Sequence, residues 1–109
     1  MSATTAQTVN QLMQKVVTTP GATAYGVANS AGVSLASLHA AVKTGTAQTG
    51  LPTSDNIDDW MIGFAPADNP QVAVAVVVPD QPSNTYGATV AGPIMATMLQ
   101  AALHPPPGQ

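Results

Sequence analysis

Arginine, glutamate and cysteine are missing from this 109-residue sequence, and charged side chains make up only 6% of it. An average soluble domain carries roughly 25%. The only cations are Lys15 and Lys43, on a chain of formal net charge −3. Nucleic-acid binding requires clustered Lys or Arg to neutralise phosphates, so nucleic acid is excluded as a partner. Without cysteine there is neither a disulfide framework nor a thiolate metal site. No other cluster of metal ligands is spaced along the chain, and no metal or cofactor is expected. The lack of free thiols suits an extracytoplasmic protein and equally suits a cytosolic one. The longest unbroken apolar run, Val72 to Val78, falls far short of the roughly 20 residues of a membrane-spanning helix. No basic segment followed by an apolar one marks a signal peptide at the N-terminus. The length suits one domain and is too short for two.

The hydrophobic pattern divides this single domain into elements. Val9, Leu12, Met13, Val16 and Val17 follow the i, i+3, i+4, i+7, i+8 spacing of a helix with one buried stripe. It predicts a helix over 5–17, with Thr4 or Thr5 as N-cap and Pro20-Gly21 as terminator. Ala22 to Ala28 and Val33 to Thr46 read as strands separated by the turn residues Asn29-Ser30-Ala31-Gly32. In the second strand Lys43 leaves one face, with His39 and Ala41, while Val42, Thr44 and Thr46 leave the other. Polar Thr49 to Asp59 reads as a surface loop. Trp60 to Ala65 reads as a strand, Pro66 to Pro70 as a tight connection and Gln71 to Val78 as a further strand closed by Pro79. Its unbroken apolar run predicts a strand covered on both faces in the middle of a sheet. The last element, Tyr86 to His104, places Val90, Ile94, Met98, Leu99, Ala102 and Leu103 on one helical stripe, with Pro93 tolerated or kinking in an early turn. Residues 105–109 are expected to form a flexible tail. The fold class is α+β: an antiparallel sheet flanked by amphipathic N- and C-terminal helices.

The chemistry concentrates in Lys43-Thr44-Gly45-Thr46-Ala47-Gln48, where a cation, two hydroxyls and a glycine stand together as the chain leaves an apolar strand. Such a group suits holding a carboxylate against an open sheet edge. Alone, Lys-Thr-Gly is a weak signal that also describes an ordinary solvated strand end. Further blocks accompany it in order: Pro20-Gly21-Ala22-Thr23-Ala24 upstream, then Trp60-Met61-Ile62-Gly63-Phe64-Ala65-Pro66, the Val72–Val78 run, and Val90-Ala91-Gly92-Pro93-Ile94. With them the chain resembles the C-terminal part of the transpeptidase domain of class B penicillin-binding proteins, most similar to the penicillin-binding protein A type. The likeness extends from Thr5 to Leu103.

That resemblance implies the penicillin-binding and serine β-lactamase-like transpeptidase fold over residues 1–109, acting on the extracytoplasmic face of the bacterial membrane through an anchor outside this sequence. It implies a peptidoglycan stem peptide ending in D-Ala-D-Ala as substrate and β-lactams as inhibitors. Lys43 would supply positive charge, and the Thr44 and Thr46 hydroxyls would bind the substrate carboxylate. The Thr46 N–H would be the second oxyanion donor, and Gly45 would leave room for substrate lying along the strand as an added strand. Ala41-Val42 precede Lys43 where the family often has a glycine. The family nucleophile sits in Ser-x-x-Lys, and no serine here has a lysine three positions on; the chain alone is expected to be inactive. The N-terminal part of the same domain would be its natural partner, pairing with the Gln71–Val78 strand. Alone, that edge would be open to strand-paired self-association. A non-catalytic binding module reusing this half-fold is the alternative reading.

The remaining candidates read more simply as structure. Ser54-Asp55-Asn56 formally matches the family's Ser-x-Asn box but follows Lys-Thr-Gly instead of preceding it, as ordinary loop polarity would. His39 reads as a packed or partly exposed side chain, and Asp58 and Asp59 as a solvated loop pair. Trp60 and the methionines Met13, Met61, Met95 and Met98 read as packing residues.

Overall fold

The computed structural model describes residues 1–50 and 55–105. Helix α1 spans Ala3–Thr18. It begins two residues before the expected start because Ser2, not Thr4 or Thr5, caps it: Ser2 Oγ accepts from the Thr5 N–H at 3.1 Å. Val17 is its buried residue, whereas Val9 and Leu12, on the expected stripe, are 40% and 57% exposed. The helix packs against the first strand and is tied at mid-length by Asn10 Nδ2 donating to Ala67 O at 2.7 Å.

The segment after α1 departs from expectation. Ala22–Ala28 and residues 33–40 form turns joined by one isolated bridge, Ala28 to Ser34, and the strand begins only at Ala41. Local side-chain hydrogen bonds compete with the ladder. Asn29 Oδ1 accepts from the N–H groups of Ala31 and Val33, each at 3.0 Å, and Ser34 Oγ accepts from the Ser37 N–H at 3.0 Å. His39, at φ 52, then reverses the chain into the strand. The turns still serve the core, because Ala24, Leu35, Leu38 and Ala40 are buried.

Three strands follow: β1 at Ala41–Gln48, β2 at Ile57–Ala65 and β3 at Val72–Gln81, antiparallel in that order. β2 starts three residues earlier than expected and takes Asp58 and Asp59 out of the predicted loop. Its inward side chains are Ile57, Asp59, Met61 and Ala65, alternating with Asp58, Trp60, Ile62 and Phe64. β3 is an outer strand among the described residues, its far edge open as expected of this chain alone, and it runs on through Pro79, which an edge position tolerates. Val76 is buried while Val77 remains 44% exposed.

The C-terminal element is broken in two. Helix α2 spans Gly87–Val90 and helix α3 Gly92–Leu103, with Pro93 in the first turn of α3 where its missing N–H costs nothing. The break resets the helical phase: α3 buries Gly92, Met95, Ala96 and Leu99, whereas Ile94 and Met98, expected on the stripe, are exposed. Met95 and Leu99 meet Met61, Val42 and Leu35 in one core cluster. Of the predicted tail only Pro105 lies among the described residues.

Candidate functional site

Register between β1 and β2 organises the Lys-Thr-Gly strand. Val42 pairs with Gly63, Lys43 with Ile62, Thr44 with Met61, Gly45 with Trp60 and Thr46 with Asp59. Gly63 is required by this pairing: a Cβ there would lie 2.9 Å from Val42 Cγ1 and 3.1 Å from Ala41 O. Paired side chains share a face, so Thr44 and Thr46 stand with Met61 and Asp59, while Lys43 stands with Ile62 on the other face.

Lys43 is exposed, and its Nζ donates to Thr44 O at 2.6 Å. Thr44 Oγ1 donates to Thr23 Oγ1 at 3.3 Å, which brings a residue of the turn region to the strand. These hydroxyls open into a cleft of about 310 Å³ lined by Thr23, Thr44, Thr46, Tyr86, Gly87, Ala88 and Thr89. Thr46 also borders a polar depression with Gln48, Asp55, Asn56 and Ser83. The edge of β1 that faces away from β2 carries no strand among the described residues. The site therefore combines five hydroxyl side chains, those of Thr23, Thr44, Thr46, Tyr86 and Thr89, with an open strand edge, while the Lys43 ammonium leaves the opposite face of the same strand. Such a set can receive an anionic, extended ligand.

Gly87 brings α2 against the strand. A Cβ added to it would overlap Trp60 O and lie 2.8 Å from Gly45 O, so only glycine lets the α2 backbone approach the two carbonyls. At Gly45, by contrast, a Cβ would meet Trp60 Cβ at 3.4 Å, an ordinary contact. Nothing among the described residues demands glycine there. Trp60 is 40% exposed and stands directly opposite Gly45 in the ladder.

Sequence reasoning misses four members of this region. Thr23 was assigned to a strand, and only folding of the turns against β1 brings it to Thr44. Tyr86 and Thr89 were read as part of a helix without a role in the cleft. Asp59 was read as solvated; it is fully buried, with Thr85 Oγ1 donating to its Oδ2 at 2.5 Å and its Oδ1 without a partner. Extending the alternation of Met61, Gly63 and Ala65 back to Ile57 would have turned Asp59 inward. Asp58, its neighbour, points away and accepts from the Asp80 N–H at 3.1 Å. His39 is exposed at the turn and does not line the cleft. The formal Ser54-Asp55-Asn56 match lies partly outside the described residues. No group of three or more His, Cys, Asp or Glu could hold a metal among the described residues, and no helix there is long and apolar enough to cross a membrane.

Comparison with known proteins gives the family and the fold. Residues 1–100 match the family described as the penicillin binding protein transpeptidase domain. The chain is 34% identical over 109 residues to the probable peptidoglycan D,D-transpeptidase PenA of Neisseria flavescens, covering 95% of this chain and 25% of that protein. It is 46% identical over 71 residues to the peptidoglycan D,D-transpeptidase PbpA of Mycobacterium tuberculosis, covering 62% of this chain and 14% of that one. Among solved structures, the apo transpeptidase domain of Burkholderia pseudomallei penicillin-binding protein 3 superposes with a TM-score of 0.71 at 27% identity, covering all of this chain and 33% of that one. The chain thus spans a quarter or less of the length of these curated relatives.

Proposed function

This chain belongs to the penicillin-binding protein transpeptidase family, and we propose that it forms the Lys-Thr-Gly wall of a peptidoglycan D,D-transpeptidase site. In this reading the stem peptide ending in D-Ala-D-Ala lies along the open edge of β1 as an added strand. Its terminal carboxylate is held by the Thr44 and Thr46 hydroxyls, with Lys43 supplying positive charge. The Thr46 N–H is one of two donors to the oxygen that becomes negative as the penultimate carbonyl is attacked. Gly45 leaves room for the peptide, which accounts for a glycine that internal packing does not require. β-Lactams, which carry a carboxylate beside a reactive carbonyl, would occupy the same groove. The site would work outside the cytoplasmic membrane, where peptidoglycan is assembled.

The observation that carries this reading is the set of hydroxyls of Thr44 and Thr46 opening into one cleft beside an unpaired strand edge. No serine in this sequence precedes a lysine by three positions. The nucleophile of the acyl-transfer step would therefore come from the remainder of the domain, with which this chain would assemble. Losing a nucleophile costs about 10⁶ in kcat, so the chain by itself is expected to bind without turning over.

The test is an NMR titration with N-acetyl-D-alanyl-D-alanine, read at the amides of Thr44, Gly45 and Thr46. Saturable shifts confined to these residues and to Tyr86–Thr89 are expected, with affinity lowered about tenfold or more in Lys43→Ala, since a hydrogen bond to a charged group contributes about 1.5–3 kcal/mol. Intact mass after incubation with benzylpenicillin should be unchanged. Shifts elsewhere only, or identical binding by the variant, would remove Lys43 and the cleft from the role assigned here.

A further inference from the structure

Asp59 is the one buried charged side chain among the described residues, at 0% exposure. Its Oδ1 has no hydrogen-bond partner. An ionisable group placed this way weakens the fold relative to an apolar side chain of similar volume, so stability does not explain its presence. Its one contact does. Thr85 Oγ1 lies 2.5 Å from Asp59 Oδ2 and 2.8 Å from Pro82 O, sharing its single hydroxyl proton between them. Thr85 immediately precedes Tyr86 and Gly87, and α2 begins there without a side-chain cap. The α2 turn is held by the N–H groups of Thr89 and Val90 donating to Tyr86 O, and of Ala91 to Gly87 O. Asp59, directly across the ladder from Thr46, therefore ties the approach to α2 to the strand that carries the hydroxyls.

We propose that Asp59 is a positioning residue for the Thr44–Thr46 cleft: it anchors Thr85, and Thr85 sets Tyr86 and Gly87 as the wall facing the two threonines. Its consequence for ligand rests on the function proposed above, but the tie itself is measurable without ligand. Among the described residues no other side-chain hydrogen bond joins the approach to α2 to β2, so this bond acts with the close backbone packing at Gly87 to set the width of the cleft.

Amide hydrogen exchange tests it, with rates at Thr89, Val90 and Ala91 taken relative to those at Met61–Gly63 in the same sample. Thr85→Val should accelerate the α2 amides about tenfold over the β2 amides, as loss of a hydrogen bond to a charged group implies. Thr85→Ser, which keeps the hydroxyl, should restore them to within about twofold. Asp59→Leu should match Thr85→Val, and the double variant should be no faster than either alone, because the two residues act through one bond. Unchanged relative exchange in Thr85→Val, no rescue by Thr85→Ser, or additive acceleration in the double variant would overturn the proposal. Titration with N-acetyl-D-alanyl-D-alanine separates the two readings. If the wild-type chain shows no shifts at Thr44–Thr46, the cleft reading fails and the exchange data alone judge the tie. If wild type binds and Thr85→Val binds equally well, the tie does not position the cleft.

Discussion

Substituting alanine at Gly87 measures how tightly α2 is seated on the sheet. The added methyl would overlap Trp60 O and approach Gly45 O to 2.8 Å, and both oxygens belong to strands β1 and β2. Neither carbonyl is the far end of a flexible side chain, so relief requires α2 to lift from the sheet. Helix propensity favours alanine over glycine by about 1 kcal/mol, whereas forcing a methyl group into a packed contact costs about 1–3 kcal/mol and occasionally more. Gly87 and Ala88 are both buried and the overlap is with backbone carbonyls, which places the steric cost in the upper part of that range, about 2–3 kcal/mol, for a net loss of about 1–2 kcal/mol. For a domain of this length that corresponds to a fall in Tm of roughly 4–16 °C. Urea and thermal unfolding followed by circular dichroism read the change. Gly21→Ala serves as the control of opposite origin: its Cβ would meet nothing within 4 Å, but its backbone lies at φ +84, so any cost there is conformational. Gly87→Ala as stable as wild type, with Gly45 amide shifts unmoved, would refute the close approach of α2 to β1 and with it the shape of the cleft.

Two further outcomes follow from packing and from the open edge. Met61→Ala, at a fully buried position in the core cluster with Met95 and Leu99, should destabilise by about 2–5 kcal/mol in chemical denaturation; a loss below about 1 kcal/mol would mean the core closes over the gap. Val77→Lys, on the exposed outer strand β3, should suppress concentration-dependent association by charging the edge. Light scattering that finds a monodisperse monomer at high concentration in the unsubstituted chain would sink the expectation of strand-paired self-association.

The cleft illustrates how a short motif gains meaning from its neighbours. Lys43, Thr44, Gly45 and Thr46 were legible in the sequence as a candidate group on one strand because their residue types and strand alternation are local properties. Their surroundings were not legible. Thr23 reaches Thr44 only because the preceding segment folds into turns, driven by Asn29 and Ser34 bonding their own backbone. Tyr86 and Gly87 reach the same place only because the C-terminal helix breaks at Ala91 and Gly92. The sequence misplaces Asp59 because a polar run reads as a loop up to its last acidic residue, although the period of two already begins at Ile57.

What the sequence determined alone was the α+β class, the positions of α1, the Lys-Thr-Gly strand and its two antiparallel successors, and the likeness to the transpeptidase family. These follow from hydrophobic period, turn residues and ordered motifs, which act over a few positions. Tertiary structure alone decided that one face of β3 stays partly exposed, that α3 buries Met95 and Ala96 beside Leu99 instead of Ile94 and Met98, and that the Asp59 side chain lies sealed beneath the cleft. The physical reason is that the covering of a sheet face, a helical phase after a break and the burial of a polar group all depend on which distant segments arrive beside them, and no local pattern specifies that arrival.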